Sequence, residues 1–236
     1  MIKLLRSYFS KFEIILWSFS VLLIIASFII FDKENYIILC ASIIGVTSLI
    51  FNAKGNPLGQ LLMIIFSVLY GIISFSFAYY GEMITYLGMT APMALISLIS
   101  WIKNPYDKDK SEVKVEVLNN NDVYIMLLLT CVVTFTFYFV LKAFNTSNII
   151  TGTVSVSTSF AAVYLTYRRS PLFAVAYAAN DIVLIILWVL AAAENSSYFS
   201  VIICFAVFLV NDFYGYFNWL KIKKRQNSCE QPQFNS

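Results

Sequence analysis

Two Asn-Asp pairs lie within apolar stretches of the sequence. Asn180 and Asp181 are in YAANDIVLIILW, and Asn211 and Asp212 are in FLVNDFYGYFNW. A carboxylate at the centre of a bilayer costs about 2.5 to 3.5 kcal/mol, so it has to face a partner helix or a watery cavity. No Lys or Arg lies at a similar depth in these stretches. The two acids therefore bind a cation, await a cationic or polyhydroxylated substrate, or are neutral and hydrogen-bond across helices.

Further polar and aromatic residues complete a candidate substrate site. Amides, hydroxyls and indole faces without basic residues suit a neutral or cationic aromatic ligand that carries hydroxyls, and they do not suit a phosphorylated one. Trp101 and Trp219 precede lysines at a predicted membrane face. Each could therefore serve as an interfacial anchor instead of a substrate-binding residue. The predicted substrate-binding residues are Gln60, Tyr86, Thr90, Trp101, Asn180, Asp181, Trp188, Asn211 and Asp212.

The composition indicates an integral membrane protein. Of the 236 residues, 60% are hydrophobic, and the mean hydropathy is +0.77, whereas a soluble domain is about 45 to 50% apolar. The net charge of +3 comes from short clusters between apolar stretches. This charge is therefore a signal of membrane topology, and it gives no reason to expect a nucleic acid partner.

Several classes of enzyme are incompatible with this sequence. The chain has no histidine, which excludes a histidine-based triad, an HExxH zinc site and a histidine proton relay. A Walker phosphate-binding loop is also absent, so the chain carries no ATPase of that kind. The four cysteines lack CxxC spacing, and we expect free, buried thiols without a disulfide or metal site. The sequence predicts no enzyme, no cofactor and no metal.

Eight stretches are long and apolar enough to cross a bilayer, which takes about 20 residues. The sixth is rich in Ser and Thr, which a span tolerates where neighbouring helices cover it. The sequence therefore predicts an all-α membrane protein with eight transmembrane helices. The predicted spans are 12–31, 36–53, 58–79, 82–102, 122–141, 149–167, 172–193 and 198–220.

The basic residues predict the orientation of the eight spans. With an even number of spans both termini lie on one side of the membrane, and that side holds all but two of the 16 Lys and Arg residues. Only Lys33 and Lys142 fall on the opposite side. The positive-inside rule places the Lys- and Arg-rich side, and thus both termini, in the cytoplasm of a cell whose plasma (inner) membrane holds the protein.

An internal repeat organises the chain. The segment NPLGQLLMII leads to SLISWIK, and the segment SPLFAVAYAA leads to GYFNWLK four spans later. Parallel repeats of this kind are a transporter arrangement, with the substrate site near the midplane between them. The predicted units are an extra N-terminal helix (1–35), a first three-helix repeat (36–102), a solvated cytoplasmic loop (103–121), a linker helix (122–148), a second repeat (149–221) and a tail (222–236).

Three segments resemble the PnuC-type vitamin and nucleoside transporter family. They are GQLLMIIFSVLY, YYGEMITYLGMTAPMALISLISWIK and SSYFSVIICFAVFLVNDFYGYFNWLK. Shared motifs include the acidic Tyr80-Gly81-Glu82 triplet and the Gly-Tyr-x-x-Trp ending at Trp219. The resemblance spans about residues 36–221. It implies a fold similar to that of SWEET transporters, with two three-helix bundles joined by a linker helix, and assembly as a homo-oligomer, often a trimer.

The resemblance also implies a function. Members of this family facilitate the diffusion of nicotinamide riboside or a related nucleoside-like vitamin, which a separate kinase then traps inside the cell by phosphorylation. The riboside carriers have a Trp-x-x-Trp motif where this chain reads WIKN, with Asn104 in place of the second tryptophan. This departure favours a deoxynucleoside, whereas Asp181 and Asp212 favour a cation such as nicotinamide riboside or thiamine.

Two other hypotheses use the same acids. Asp181 and Asp212 are also suited to proton-coupled transport, which would make uptake depend on a proton gradient. A membrane enzyme acting on lipid would instead need a nucleophile, metal ligands or an acid-base pair at the interface. We expect the intramembrane acids to lie at the midplane, which argues against that enzyme.

Overall fold

The computed structural model describes residues 8–76, 79–106, 111–146, 148–193 and 196–230. Within these ranges it contains eight helices that are long and apolar enough to span a membrane, which confirms the predicted all-α membrane fold. The helices are α1 Lys11–Phe31, α2 Tyr36–Ala53, α3 Leu58–Ser76, α4 Tyr80–Lys103, α5 Asn120–Ala143, α6 Ile149–Tyr167, α7 Leu172–Ala192 and α8 Phe199–Glu230.

The end of α8 differs most from the predicted spans. The apolar stretch ends near Leu220, but the helix continues through the charged segment to Glu230. Lys, Arg and Gln are good helix formers, and neither Gly nor Pro interrupts this segment. The membrane-spanning part of α8 therefore ends near Leu220, whereas the helix itself continues beyond it. Residues 222–230, predicted as part of the tail, are therefore helical.

The two Pro-Leu sequences begin equivalent helices. In the first repeat the Asn56 side chain accepts a hydrogen bond from the backbone N–H of Leu58 (2.9 Å). In the second, the Ser170 hydroxyl accepts from the N–H of Leu172 (3.4 Å). Each polar side chain occupies one of the backbone donors that a helix start leaves unpaired. α3 and α7 thus begin in the same way, as the internal repeat predicts.

Six helices pack in a closed ring. Within each predicted repeat the helices pack in chain order, α2 on α3 on α4, and α6 on α7 on α8. The ring closes where α8 packs on α2 and α4 packs on α6. Outside this ring, α1 covers α8 and α2, and α5 covers α6. The centre of the ring is therefore enclosed by helices from both repeats. The unit boundaries themselves remain a prediction.

A π-helical turn interrupts α4. The helix is α-helical over Tyr80–Thr85 and Ala91–Lys103, with a π turn at Tyr86–Thr90 between them. The Thr90 hydroxyl donates to the Thr85 carbonyl, at 3.3 Å, across this turn. Single π turns inside α-helices are frequent at functional sites. This turn lies at the centre of the ring of six helices.

The loops rich in Lys and Arg meet at one end of the bundle, which we call the basic end. Arg168 binds Asp122 (2.6 Å) and Glu116 (2.7 Å) there. Burial disfavours the guanidinium cation, but these two carboxylates outweigh it and hold the pKa of Arg168 above its usual value. The loop 103–121 is not simply solvated, because Val113 is 1% exposed and its N–H donates to the Gly55 carbonyl (2.9 Å).

The cysteines are free, but most of them are not buried. Cys204 is buried, whereas Cys40, Cys131 and Cys229 are exposed. Cys40 and Cys131 lie on outer faces of α2 and α5, which present apolar side chains to the bilayer. Our prediction of buried thiols was therefore wrong for these three residues. An apolar stretch does not show which face of its helix is covered, and Cys229 lies in the polar end of α8.

Candidate substrate-binding site

A small cavity lies at the centre of the ring, and we call it the acidic cavity. All six helices of the ring line it, and its volume is about 30 Å³, enough for about one water-sized group. A nucleoside is several times larger, so the lining helices have to separate to admit one. The lining residues are Leu49, Met63, Phe66, Tyr86, Thr90, Ser159, Tyr177, Asn180, Asp181, Phe205, Phe208 and Asp212.

Helical spacing brings the polar groups of α7 and α8 into the cavity. Tyr177 and Asp181 are four residues apart, so they lie on one face of α7, one turn from each other. On α8, Phe208 precedes Asp212 by the same interval. The face of α8 that supplies the aromatic wall therefore also supplies the second carboxyl group.

The Asn180 side chain is held in one orientation. Its Oδ1 accepts hydrogen bonds from the hydroxyls of Thr158 (2.8 Å) and Ser159 (2.9 Å), both on α6. Because the oxygen has two donors, the amide N–H groups are the end of this side chain left to bind a ligand. Asn180 is thus a fixed hydrogen-bond donor in the wall of the acidic cavity.

Asp181 and Asp212 form a carboxyl pair. Both side chains are buried, at 4% exposure each, and they interact with each other. Asp181 Oδ2 has no hydrogen-bond partner among the described residues. Two neighbouring carboxyl groups in an apolar environment need a shared proton or a cation to offset their repulsion. The pair is therefore suited to hold a proton or a cation in the cavity.

The structure brings five of the nine predicted site residues together in this cavity. They are Tyr86, Thr90, Asn180, Asp181 and Asp212. The other four lie outside it, and their predicted contact with substrate remains untested. Gln60 donates to the buried Asn52 side chain (2.8 Å), and Asn211 donates to Ser20 of α1 (3.1 Å). Both amides therefore join helices in this conformation.

Trp101 and Trp219 lie together between the cavity and the basic end. The two indole rings lie 5.5 Å apart, and both are fully buried. Trp101 of the first repeat donates to the Thr166 carbonyl of the second (2.9 Å), and Trp219 of the second donates to the Asn52 carbonyl of the first (2.7 Å). We call this pair the tryptophan latch. The interpretation of Trp219 as an interfacial anchor was wrong, because its ring is buried between the repeats.

The residues next to the tryptophans repeat this reciprocal pattern. Ser100 donates to the Tyr167 carbonyl (3.2 Å), and Asn218 donates to the Ala53 carbonyl (2.8 Å). Each bond again joins the last helix of one repeat to the end of the first helix of the other. The basic end is therefore closed by four hydrogen bonds in a pseudo-symmetric arrangement.

Trp188 belongs to a second aromatic layer on the other side of the cavity. Its Nε1 donates to the Tyr70 hydroxyl (2.5 Å), and its ring lies 4.9 Å from that of Tyr79 and 5.4 Å from that of Tyr198. Tyr70 in turn packs against Tyr86 of the cavity wall at 4.4 Å. Buried aromatic side chains thus lie between the acidic cavity and each end of the bundle.

Asn104 lies far along α4 from the cavity. It caps α4 at the basic end, where its side chain donates to the Ser100 carbonyl (2.8 Å). A tryptophan at this position would belong to the basic end and not to the wall around Asp181. The argument from Asn104 for a deoxynucleoside therefore has no support in this conformation.

Seven of the twelve lining residues were absent from the predicted site, and two of these seven are polar. Tyr177 precedes Asp181 by one helical turn, so the spacing alone could have identified it. Ser159 gave a weaker signal, because it lies in a helix with many hydroxyls and only its contact with Asn180 distinguishes it. Inspecting the positions one helical turn from each aspartate would have identified Tyr177 but not Ser159.

The chain is similar to known transporters over most of its length. Residues 35–221 match the sequence model of the nicotinamide mononucleotide transporter family. The chain is 26% identical to the nicotinamide riboside transporter PnuC of Neisseria mucosa, over 89% of this chain and 82% of that one. It is also 26% identical to the protein of the same name from Haemophilus influenzae, over 82% and 83% of the two chains.

A solved structure has the same fold. The crystal structure of the vitamin B3 transporter PnuC superimposes with a TM-score of 0.81 and covers 92% of this chain and 94% of its own, at 23% identity. At this identity the likeness concerns the fold. The PnuC family resemblance of the sequence is confirmed by the family match.

Proposed function

Because the chain belongs to the nicotinamide mononucleotide transporter family, we propose that it takes up nicotinamide riboside through the acidic cavity by facilitated diffusion. The carboxyl pair of Asp181 and Asp212 carries this proposal. Nicotinamide riboside is a pyridinium cation with ribose hydroxyls, so it matches both the acidity of the cavity and its hydrogen-bonding groups.

The other cavity residues fit the two halves of this substrate. The aromatic rings of Phe66 and Phe208 supply faces for the pyridinium ring, and a cation over an aromatic face is stabilised by about 0.5 to 2 kcal/mol. The amide of Asn180 and the hydroxyls of Thr90 and Ser159 suit the ribose. This division of roles follows from the chemistry of each group.

The absence of positive charge argues against a phosphorylated substrate. Among the residues that the structure describes, none of those lining the cavity is Lys or Arg. A phosphate group carries up to two negative charges and would meet two carboxyl groups here. We therefore propose the riboside, and not the mononucleotide of the family name, as the substrate.

Transport requires the two ends of the cavity to open in turn. In parallel-repeat transporters one repeat moves relative to the other around a fixed site. The tryptophan latch joins the two repeats at the basic end, and the layer of Trp188 and Tyr70 joins them at the other. We propose that these layers are the two gates, and that the π turn of α4 absorbs the movement between them.

Purified protein in liposomes tests the mode of transport. We expect labelled nicotinamide riboside to equilibrate across the membrane, and we expect thymidine to enter much more slowly. An uncoupler should leave the rate unchanged, because no ion gradient drives the process. Collapse of uptake on adding the uncoupler would support the proton-coupled alternative, and equal uptake of thymidine would contradict the proposed substrate.

Three further elements complete the proposal. A separate kinase traps the riboside by phosphorylation, so a riboside kinase and ATP inside the liposomes should convert equilibration into accumulation.

The protein lies in the inner membrane with both termini in the cytoplasm, as the charge distribution indicates. It assembles as a homo-trimer, as the family resemblance implies, and mass measurement in nanodiscs tests this state.

A further inference from the structure

Glu82 is a buried acid that the proposed site does not use. It lies in the first turn of α4, and its side chain is 2% exposed. Its Oε2 has no hydrogen-bond partner among the described residues. An unpaired carboxyl oxygen in a membrane bundle is costly, so its position calls for a reason beyond packing.

The position of Glu82 relates it to the acidic cavity. Glu82 and Tyr86 are four residues apart, so they lie on one face of α4, one turn from each other. Tyr86 lines the cavity, and Glu82 lies within electrostatic range of both Tyr86 and Tyr70. Since α4 begins at the end of the bundle opposite the basic end, Glu82 lies between that end and the cavity.

The surroundings of Glu82 contain other unused polar atoms. The Ser155 side chain of α6 lies within reach of the Glu82 carboxyl group, although its buried hydroxyl makes no hydrogen bond of regular geometry among the described residues. The Thr146 hydroxyl is also buried and has no partner among the described residues. Thr146 packs against Gly81, where an added Cβ would lie 2.7 Å from the Thr146 methyl. The Glu82 carboxyl group thus lies beside one buried hydroxyl, and a second buried hydroxyl contacts the preceding residue, Gly81.

We propose that Glu82, with the Ser155 hydroxyl beside it, is a second binding station for the organic cation, on its way between the surface opposite the basic end and the acidic cavity. This inference rests on the proposed function, since it assumes a cationic substrate. The carboxylate attracts the pyridinium ring before the ring reaches Asp181 and Asp212. A path that carries one sign of charge raises the rate of entry of the opposite charge by tenfold or more.

The test compares nicotinamide riboside with its reduced, dihydropyridine form, which has nearly the same shape and no charge. In liposomes, we expect Glu82→Gln to raise the KM for nicotinamide riboside by about tenfold and to leave uptake of the reduced riboside within twofold. The Glu82→Asp variant keeps the charge and should retain the preference for the cation. Glu34→Gln is the matched control, because Glu34 is exposed near the same end of the bundle.

Each outcome decides the proposal. Uptake of the cation by Glu82→Gln at the wild-type KM, or an equal loss for both ribosides, would overturn the role of Glu82. If Glu82→Gln does not fold, Glu82→Met, which also removes the charge at similar side-chain length, decides the question: a higher KM for the cation alone supports the station, and an unchanged KM or an equal change for both substrates overturns it. Failure of the wild-type protein to carry nicotinamide riboside would instead overturn the proposed function.

Discussion

Replacing Asp212 by asparagine is expected to weaken the binding of nicotinamide riboside by about 30-fold, which corresponds to about 2 kcal/mol. The substitution keeps the shape of the side chain and removes one of the two charges that face the cation. The reduced, uncharged riboside should bind the variant within about twofold of wild type. Calorimetry on the purified variant with both ligands measures the two affinities.

Asp181→Asn provides a second test of the carboxyl pair. We expect a similar loss for the cation, because either carboxyl group alone leaves the cavity with one charge. The exposed residue Glu34 again supplies the control, as Glu34→Gln removes one negative charge outside the cavity. Equal weakening of the charged and uncharged ribosides in both aspartate variants would show that the pair acts through hydrogen bonds or packing, and would contradict charge matching.

Replacing Trp219 by alanine is expected to open the basic end. The substitution removes a fully buried ring and the hydrogen bond to the Asn52 carbonyl, and large-to-small changes of this kind cost about 3 to 5 kcal/mol. The substitution destabilises the conformation that is closed at the basic end, because only that conformation contains the Trp219 contacts. A conformation with separated repeats lacks these contacts already, so the equilibrium shifts toward it. Trp219→Phe, which keeps a ring but loses the donor, should have a smaller effect.

A reporter cysteine measures this opening. Ser97 is fully buried, one turn before Trp101 on α4, so Ser97→Cys lies between the cavity and the latch. In a background without native cysteines, Trp219→Ala should raise the labelling of this cysteine by a water-soluble thiol reagent at least tenfold.

Two controls separate opening from unfolding. Ser74→Cys is a reporter on α3, toward the other aromatic layer, and it should label as slowly as before. Trp17 lies on α1, outside the ring of six helices, and donates a hydrogen bond to Thr47 on α2. Trp17→Ala should leave the labelling rates of both reporter cysteines unchanged. A rise at Ser97 and Ser74 alike would indicate general loosening, and no rise at Ser97 would show that the latch is not a gate.

The spans were predictable because the bilayer imposes a simple rule. A helix that crosses it needs about 20 apolar residues, so counting such residues located all eight helices, and the repeat of Pro-Leu indicated which helices are equivalent. This rule does not apply to the segments outside the bilayer. α8 continues to Glu230 because its polar residues favour a helix, and Val113 is buried because the loop around it packs on the bundle. A count of apolar residues detects neither feature.

The candidate site was predictable only in part, for a related reason. Asp181 and Asp212 were identified because charge is expensive in an apolar stretch, and the cost is visible from sequence alone. Trp219 and Gln60 carry no such cost, since an indole or an amide is satisfied at an interface, in a substrate site or between helices. Which of these applies is decided by the partner, and the carbonyl of Asn52 lies far from Trp219 in sequence.

The central claim is that the acidic cavity selects a cation without a phosphate, and one calorimetric comparison on the purified wild-type protein tests it. Nicotinamide riboside, its reduced form and nicotinamide mononucleotide share most of their shape and differ in charge. The account predicts binding of the riboside at least tenfold tighter than that of either relative. Binding of the mononucleotide as tight as that of the riboside would contradict it.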